Sequence, residues 1–531
     1  MNEQFIDTII TKYSFKGDFI RLGGAMLDGK VETGTWVKVP LKTLNRHGLI
    51  AGATGTGKTK TLQIMAEQLS RKGIPSLLMD IKGDLSGVAV ASGGHPKIDE
   101  RHMEIGFPFE PHGSPVEFLS LSDEPGVRLR ATVLEFGPIL FSKVLDLNET
   151  QMGIVSVIFK YCEDNNLPLL DLKDFKKTLQ YISNDGRSEV EQEYGRVSTA
   201  SVGAIVRKLI ALEQQDADRF FGEPSFDVDD LRRIDENGNG MVSILRLTDL
   251  QDRPHLFSTF MMSLLAEIYS TFPEQGDSDQ PELVIFIDEA HLMFENASDE
   301  LLKQIETIIK LIRSKGVGIY FCTQNPIDIP EDVLGQLGLK IQHALRAFTA
   351  KDRKAIKLAV QNFPETAYYD VEELITNLGI GEAFVTVLNE KGIPTPLVHT
   401  MLRAPASRMD VLTELEIKEV LDDSELIREY NKEVDRDSAY EMLKEKIEEA
   451  KEEEQKQKME EQQASARRSR GGKVKEERSF IEEMSKNTMV RQVGRTVARE
   501  LTRGLLGVLG LGGSTRRRRS TRKRSTRRRR R

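Results

Sequence analysis

The feature that most constrains this chain is a glycine-rich stretch. It fits the pattern G-x-x-x-x-G-K-[ST] at every fixed position and consists of Gly52, Ala53, Thr54, Gly55, Thr56, Gly57, Lys58 and Thr59. A short apolar run at 47–51 precedes it as a strand, and residues 61–69 follow with helical spacing. Glycines let the backbone curl so that several N–H groups point inward, and the next helix adds its positive end. The pattern therefore predicts a loop that cradles phosphate groups.

Two residues of this loop carry the expected chemistry. Lys58 would reach the β- and γ-phosphates of a nucleotide, and the Thr59 hydroxyl would help to hold Mg²⁺. A glycine-rich turn could match the pattern by chance, but the strand before it and the helix after it favour the phosphate loop. The sequence therefore predicts ATP and Mg²⁺ as ligands.

Composition narrows the class of protein. At 531 residues the chain is too long for one ordinary core. It contains no run of 18 apolar residues, so no transmembrane segment is expected. The first residues lack a basic region followed by an apolar one, so no secretory signal is expected either. The two cysteines, Cys162 and Cys322, lie in apolar contexts typical of buried thiols, and a cytoplasmic location is predicted.

The order of elements predicts an α/β fold. Continuous apolar strands alternate with amphipathic helices, as in a RecA-like core with a mostly parallel sheet covered on both faces. The chain divides into a short β-rich N-terminal segment, the ATPase core with a helical insertion, a charged helical linker and a basic tail. The predicted bounds are 1–45, 46–405 (insertion at about 128–236), 406–466 and 467–531.

Charge is distributed unevenly along the chain. Residues 467–531 contain 23 Lys or Arg and 5 Asp or Glu, a net charge of +18, whereas residues 1–466 carry −26. Within the tail, 489–509 is predicted to form an amphipathic helix with an Arg stripe, followed by an Arg-rich disordered end. A basic tail on an acidic body indicates a polyanionic partner. Double-stranded DNA, bound without sequence preference, fits this pattern.

A pair of carboxylates supplies what hydrolysis needs beyond a phosphate loop. Five apolar residues, 283–287, predict a buried strand that ends at Asp288 and Glu289. Asp288 would support Mg²⁺, and Glu289 would polarise the attacking water. A solvated turn is the alternative interpretation of the same two residues.

Further polar residues follow in an order that suits an ATPase. Gln324 ends the next apolar strand, where its amide could sense the γ-phosphate or simply form a turn before Pro326. Arg313 ends a helix just before that strand and is a candidate arginine finger for a neighbouring subunit's nucleotide. A cation at a helix C-terminus is the plainer interpretation. Arg346 and Arg353 are alternative fingers. Asp80, which ends the strand after the loop helix, could support the metal or line the site, and a strand-end turn is an equal alternative.

These motifs resemble the FtsK–HerA superfamily of P-loop motors, and most closely its bacterial HerA-like group. The resemblance covers residues 1 to about 405 and rests on the loop, on 79–84, on 287–291 and on 322–326. It implies a RecA-like core, a homo-oligomer such as a hexameric ring, and ATP-driven movement of double-stranded DNA. It also implies Arg313 as the finger and Gln324 as the sensor. The first 45 residues are short for a HerA-type barrel, which puts the docking of a nuclease or other protein partner in doubt.

Two other functions match parts of the sequence. Asp288-Glu-Ala-His291 also spells the box of DEAH helicases, but the motifs of their second RecA-like domain are missing, so His291 is interpreted as a structural or coupling residue. The second alternative is a non-translocating ATP-dependent switch, recruited by its basic tail to an anionic membrane or an acidic protein.

Overall fold

The computed structural model describes residues 2–468, apart from 122–123, 249–253, 277, 295–298, 348, 433 and 435–436. The basic tail from residue 469 onward, with the predicted helix 489–509 and the Arg-rich end, therefore lies outside the described residues.

A single large sheet organises the described part of the chain. Its strands are β1 Phe19–Leu27, β2 Lys30–Pro40, β3 Gly48–Ala51, β4 Ser76–Asp80, β5 Val116–Ser120, β6 Val127–Arg128, β7 Val242–Arg246, β8 Leu283–Ile287, β9 Val317–Thr323, β10 Leu339–Gln342, β11 Glu382–Thr386 and β12 Val398–Leu402. Among the described residues, the twelve strands lie in the order β2-β1-β12-β11-β10-β3-β9-β8-β4-β7-β5-β6.

The part of the sheet from β10 to β6 is parallel, and the other four strands are antiparallel. Every residue of β3, β4, β8 and β9 is buried, as expected for parallel strands covered on both faces. Ala51 pairs with Thr323 at the ends of β3 and β9, so the segments that follow both strands leave the same edge of the sheet. The structure confirms the predicted α/β class and its mostly parallel sheet.

Helices connect and cover the strands. Their bounds are α1 Asn2–Lys12, α2 Lys58–Arg71, α3 Pro96–Ile105, α4 Val133–Val144, α5 Glu149–Asn165, α6 Leu172–Ser183, α7 Arg187–Glu193, α8 Thr199–Glu213, α9 Pro254–Thr271, α10 His291–Phe294, α11 Asp299–Ile312, α12 Glu331–Leu334, α13 Ala350–Gln361, α14 Val371–Asn377, α15 Glu414–Asp423, α16 Glu425–Tyr430 and α17 Ala439–Arg468. Across the described residues, no helix has the length and apolar character needed to cross a membrane.

Helix α2, which follows the glycine loop, packs against the sheet and also fastens the chain that leaves β12. The buried carboxylate of Glu67 accepts hydrogen bonds from the backbone N–H groups of Ala406 (2.8 Å) and Ser407 (3.0 Å) and from the Ser407 hydroxyl (2.8 Å). The Gln63 amide donates to the same hydroxyl and to the Arg408 carbonyl. A buried carboxylate with three donors is satisfied, so it holds this segment against the loop helix.

The N-terminal segment 1–45 is not a separate layer. It starts with α1, an element that the β-rich prediction did not include, and its strands β1 and β2 extend the central sheet by pairing with β12. Strand β12 belongs to a hairpin with β11 that closes the core. The extension requires contacts between residues about 380 positions apart, which local sequence patterns do not report.

Helices α4 to α8 lie between β6 and β7, within the stretch for which the helical insertion was predicted. The predicted linker, 406–466, contains α15, α16 and α17, and the start of α17 packs on α6. The backbone N–H of Tyr440 donates to Asp174 (2.8 Å), and the Ala439 N–H donates to the Pro168 carbonyl (2.9 Å). The first turn of this charged helix is therefore attached to the body.

Candidate nucleotide site

The glycine loop curls at the carboxyl end of β3. Three of its glycines have positive φ, which L side chains rarely adopt: Gly52 (+154°), Gly55 (+76°) and Gly57 (+115°). A Cβ on Gly52 would also lie 2.5 Å from the Cβ of His343, so this position has no space for a side chain. Gly57 caps α2, whose first residue is Lys58. The loop thus has the conformation that the motif predicts, with the N-terminus of a helix behind it.

Lys58 is buried and folds back over the loop. Its Nζ donates to the carbonyl oxygens of Gly52 (2.7 Å) and Ala53 (3.2 Å). Burial, together with the positive charge of Lys82, lowers the pKa of Lys58. Thr56 bonds to the Ala53 carbonyl within the loop, Thr54 and Gly55 are exposed at its tip, and Thr59 is half-buried in the first turn of α2.

The predicted carboxylate pair follows β8 at the same edge. Asp288 and Glu289 are 1% and 6% exposed, and Glu289 has φ +45°, a conformation uncommon outside glycine. Lys82 Nζ lies 2.5 Å from Glu289 Oε1 and 3.6 Å from Asp288 Oδ2. Burial would raise the pKa of Glu289, but the hydrogen bond and charge of Lys82 outweigh it and lower that pKa. For Asp288, burial dominates and raises the pKa.

The chemistry of these donors fits Mg²⁺. Asp288 Oδ2 and Glu289 Oε2 are buried and accept no hydrogen bond among the described residues, although Lys82 Nζ lies 3.6 Å from the first and His291 Nδ1 lies 3.3 Å from the second. Mg²⁺ prefers oxygen ligands and is usually held by one or two carboxylates together with substrate phosphates and water. Thr59 and Asp288 are the residues of this edge that would hold it. Within the described ranges, no cluster of three or more His, Cys, Asp or Glu forms a closed metal cage.

Gln324 and His291 both approach Glu289. The Gln324 amide Nε2 lies 3.5 Å from Glu289 Oε1, and His291 Nδ1 lies 3.3 Å from Glu289 Oε2. The structure therefore brings Gln324 into the group formed by the glycine loop and the carboxylates. His291 opens the short helix α10 beside the same carboxylate, a position that suits the structural role expected of it.

Asp80 caps a turn, one of the two interpretations its position allowed. Its Oδ1 accepts from the N–H groups of Gly83 (2.7 Å) and Asp84 (3.1 Å), and its Oδ2 accepts from Leu85 (3.1 Å). Burial raises the pKa of Asp80 to about 6. The carboxylate therefore fixes the turn from which Lys82 reaches the acidic pair.

Arg313 lies at the opposite end of the strands from the glycine loop, just before β9 begins. It precedes β9, whereas Gln324 follows that strand, and six residue steps along β9 span on the order of 20 Å. Arg313 is exposed beside an open cavity of about 340 Å³, whose lining includes Lys42, Arg46 and Lys310. Burial and the nearby Arg46 charge lower the pKa of Arg313. Within one chain, therefore, Arg313 does not join the glycine loop.

The two alternative fingers lie elsewhere. Arg346 follows β10 and donates from a guanidinium nitrogen to the Thr376 carbonyl (2.7 Å), and Arg353 is exposed on α13. Neither forms a contact with the acidic pair in the described structure.

The sequence did not predict two residues that lie at the site. Lys82 stands in the segment 79–84 that supports the family resemblance, yet nothing local shows that it crosses from the end of β4 to that of β8. His343 is fully buried beneath the loop, where its Nε2 bonds to the Thr61 hydroxyl (2.9 Å). Burial lowers the pKa of His343 to about 4, so it stays neutral. A lone histidine after a short strand gives no signal of this role.

The family model and the curated relatives agree on one family. The model described as "Helicase HerA-like C-terminal" matches residues 26–517. The DNA double-strand break repair helicase HerA of Sulfurisphaera tokodaii is 24% identical over 377 residues, which cover 70% of this chain and 67% of that protein. The protein with the same name from Saccharolobus solfataricus is 22% identical over 380 residues, with coverages of 70% and 67%.

Solved structures give weaker matches. Plasmid coupling protein TrwB in complex with a non-hydrolysable GTP analogue aligns with a TM-score of 0.49 at 15% identity, covering 75% of this chain and 99% of that one. VirB4 of Thermoanaerobacter pseudethanolicus aligns with a TM-score of 0.45 at 16% identity, covering 73% and 97%.

Proposed function

This chain belongs to the HerA-like helicase family and is a P-loop ATPase, and from that premise we propose that it is an oligomeric motor that couples ATP hydrolysis to translocation on double-stranded DNA. One observation carries the proposal. Arg313 lies at the sheet edge opposite to the glycine loop, so an arginine finger in this position can act only on the nucleotide of a neighbouring copy. A head-to-tail ring, for which the family resemblance implies six subunits, brings the two ends of the strands together at each interface.

The residues of the site take distinct roles in this proposal. Lys58 and the loop N–H groups bind the phosphates, and Thr59 and Asp288 hold Mg²⁺, which neutralises phosphate charge. Glu289 accepts a proton from the attacking water, and the lowered pKa of its carboxyl keeps it ionised for that task. Gln324 contacts Glu289 and stands where it can respond to the γ-phosphate.

DNA as the substrate rests on two further points. The two relatives named above are called DNA double-strand break repair helicases. The tail from residue 467 carries a net charge of +18, which suits a phosphate backbone. A soluble location in the cytoplasm is part of the same proposal.

The test is steady-state ATP hydrolysis by the full chain, with and without double-stranded DNA at two salt concentrations. We expect DNA to stimulate turnover, and we expect Lys58→Ala and Glu289→Gln each to abolish it. Glu289→Gln should still bind nucleotide. Turnover by Glu289→Gln at the parent rate would show that the base is misassigned, and turnover indifferent to DNA would overturn the motor.

A mixing experiment tests the finger. Arg313→Ala and Lys58→Ala should each be inactive alone, because one lacks the finger and the other the phosphate lysine. Mixed oligomers contain interfaces that combine an intact Lys58 with an intact Arg313 from the next copy, so activity should reappear. An absence of recovery in demonstrably mixed oligomers would exclude Arg313 as a finger acting between subunits, and Arg346→Ala and Arg353→Ala would then be tested in the same way.

The tail favours one alternative, a non-translocating switch recruited to an anionic membrane or an acidic protein. Its 23 basic residues would each contribute roughly 1 kcal/mol near an anionic surface. Stimulation of turnover by anionic vesicles, with none by DNA, would favour the switch.

A further inference from the structure

Two aromatic rings and two cations form a compact group on the β1–β2 hairpin, whose strand β2 is an edge strand of the sheet. Phe19 and Arg21 belong to β1, Trp36 and Lys38 belong to β2, and these four residues are called the hairpin patch. The Arg21 guanidinium carbon lies 4.5 Å from the centre of the Trp36 ring, and Lys38 Nζ lies 4.6 Å from the centre of Phe19. All four side chains are half-buried, so the group lies at the surface.

The two cations of the hairpin patch are placed unfavourably with respect to each other. Arg21 and Lys38 are direct partners in the antiparallel β1–β2 ladder, and like charges directly opposite each other destabilise a sheet. Burial and the charge of Arg21 lower the pKa of Lys38. The arrangement would be relieved by an anion that approaches both groups.

In the part of the chain that the structure describes, no side chain provides that anion. Neither Arg21 nor Lys38 forms an ion pair within the described ranges. Two acids of this region are engaged elsewhere, Asp18 with Lys72 (2.7 Å) and Glu110 with Arg71 (3.6 Å). The stacking of a guanidinium on a ring uses its face and leaves the N–H groups at its edge free to donate.

A buried ring and a half-buried cation lie behind the hairpin patch and support it. The Phe107 ring packs edge-on against Trp36 at 6.2 Å, and the Arg403 guanidinium carbon lies 5.4 Å from the centre of Phe107. The Nε of Arg403 is buried and has no hydrogen-bond partner among the described residues. Cations interleaved with rings form the kind of surface that binds a nucleic-acid backbone.

We propose that the hairpin patch binds the sugar-phosphate backbone of DNA through Arg21 and Lys38, with Trp36 beside the bound strand. The proposal rests on the motor function above and adds a contact on the body of the protein to the one expected of the tail. The two cations give this surface a positive charge suited to duplex phosphates, and the rings beside them suit the sugars of the backbone, whereas insertion into a lipid surface requires apolar side chains that can enter it.

The chain offers a local reporter, because Trp36 is its sole tryptophan. We would titrate the full chain with a short double-stranded oligonucleotide and follow both Trp36 emission and the anisotropy of labelled DNA. Both signals should change with the same midpoint. In Arg21→Gln/Lys38→Gln, the slope of log K against log salt should decrease by about 1.8, from two phosphate contacts at roughly 0.9 each. Lys30→Gln, at the exposed turn of the same hairpin, is the matched control and should keep the parent slope.

Each outcome decides between the two proposals. DNA binding with unchanged Trp36 emission and an unchanged slope in the double variant overturns the hairpin patch and leaves the motor proposal standing. Absence of DNA binding overturns both. A change in Trp36 emission with anionic vesicles but not with DNA assigns the patch to a membrane and overturns the proposal. If the double variant does not fold, the emission titration of the unaltered protein still decides.

Discussion

Removal of the Lys82 charge should shift the pH range in which the ATPase is active. Lys82 Nζ lies 2.5 Å from Glu289 Oε1, so the gross attraction at an effective dielectric constant of 20 is about 7 kcal/mol. Loss of one partner of a buried pair is typically worth about 3–5 kcal/mol. The Lys82 side chain is 36% exposed and partly screened, so we expect roughly 2–3 kcal/mol. At 1.36 kcal/mol per unit, this corresponds to about two pH units.

The direction follows from the proposed role of Glu289 as a base. Burial tends to raise the pKa of its carboxyl, and Lys82 holds it down, so Lys82→Met should raise it. The base is then protonated at a higher pH, and the acid limb of kcat/KM, which reports the free enzyme, should move towards neutrality. Lys82→Met should therefore lose activity at acidic pH and regain it as the pH rises. A misfolded variant would instead be inactive over the whole pH range.

The assay is ATP hydrolysis from pH 5 to 9. A control variant is assayed in parallel, in which the lysine removed has an exposure similar to that of Lys82 and belongs to an ion pair outside the site. Lys176 and Glu213 lie 2.9 Å apart with side chains 31% and 27% exposed, so Lys176→Met should leave the acid limb unchanged. An acid limb in Lys82→Met that coincides with that of the parent would refute the reasoning. A shift of the same size in the Lys176→Met control would refute it equally.

Two further substitutions test the loop and the turn beside it. Gly52→Ala places a Cβ 2.5 Å from the His343 Cβ at a positive φ and should lower thermal stability and nucleotide binding, by about 2–4 kcal/mol in unfolding free energy. Gly55→Ala, where a Cβ has open space, should cost only about 1–2 kcal/mol, and equal losses would contradict the steric argument. Asp80→Asn removes a buried carboxyl whose pKa in the folded parent is raised to about 6. The folded parent therefore keeps this proton to a higher pH than the unfolded chain does, and the stability of the parent falls as the pH rises between about 4 and 6. Relative to the parent, Asp80→Asn should therefore gain up to about 3 kcal/mol between pH 4 and 7, and a pH-independent difference in melting would contradict the raised pKa.

The local sequence was sufficient to predict those parts of the site in which a single strand places a chemical group at its end. The glycine loop needs a strand, a tight curl and a helix, all within about 20 residues, and each leaves a pattern. Asp288, Glu289 and Gln324 were found for the same reason, since each directly follows a fully buried strand. Parallel strands bring such residues to one edge whatever their order, so the sequence predicted that they would meet.

The contacts that cross the sheet could not be predicted. Lys82 reaches the acidic pair because β4 lies beside β8, and His343 lies under Gly52 because β10 pairs with β3. Strand order is decided by packing over the whole core, and a single sequence carries no local sign of it. The same limit applies to the predicted β-rich segment 1–45, whose strand β1 pairs with β12 far along the chain.

One strand links the two edges on which the proposed motor depends. β9 is buried along its full length, with Arg313 in the turn before it and Gln324 directly after it. If Arg313 contacts the nucleotide of one copy, Gln324 of the same chain contacts Glu289 at that chain's own site, and a rigid parallel strand separates the two. In the proposed ring, β9 would therefore connect the finger that enters one site to the Gln324–Glu289 contact of the next site. A change of nucleotide in one site of such a ring would then reach the neighbouring site through β9, because each chain would hold its finger at one end of this strand and its own Gln324 at the other.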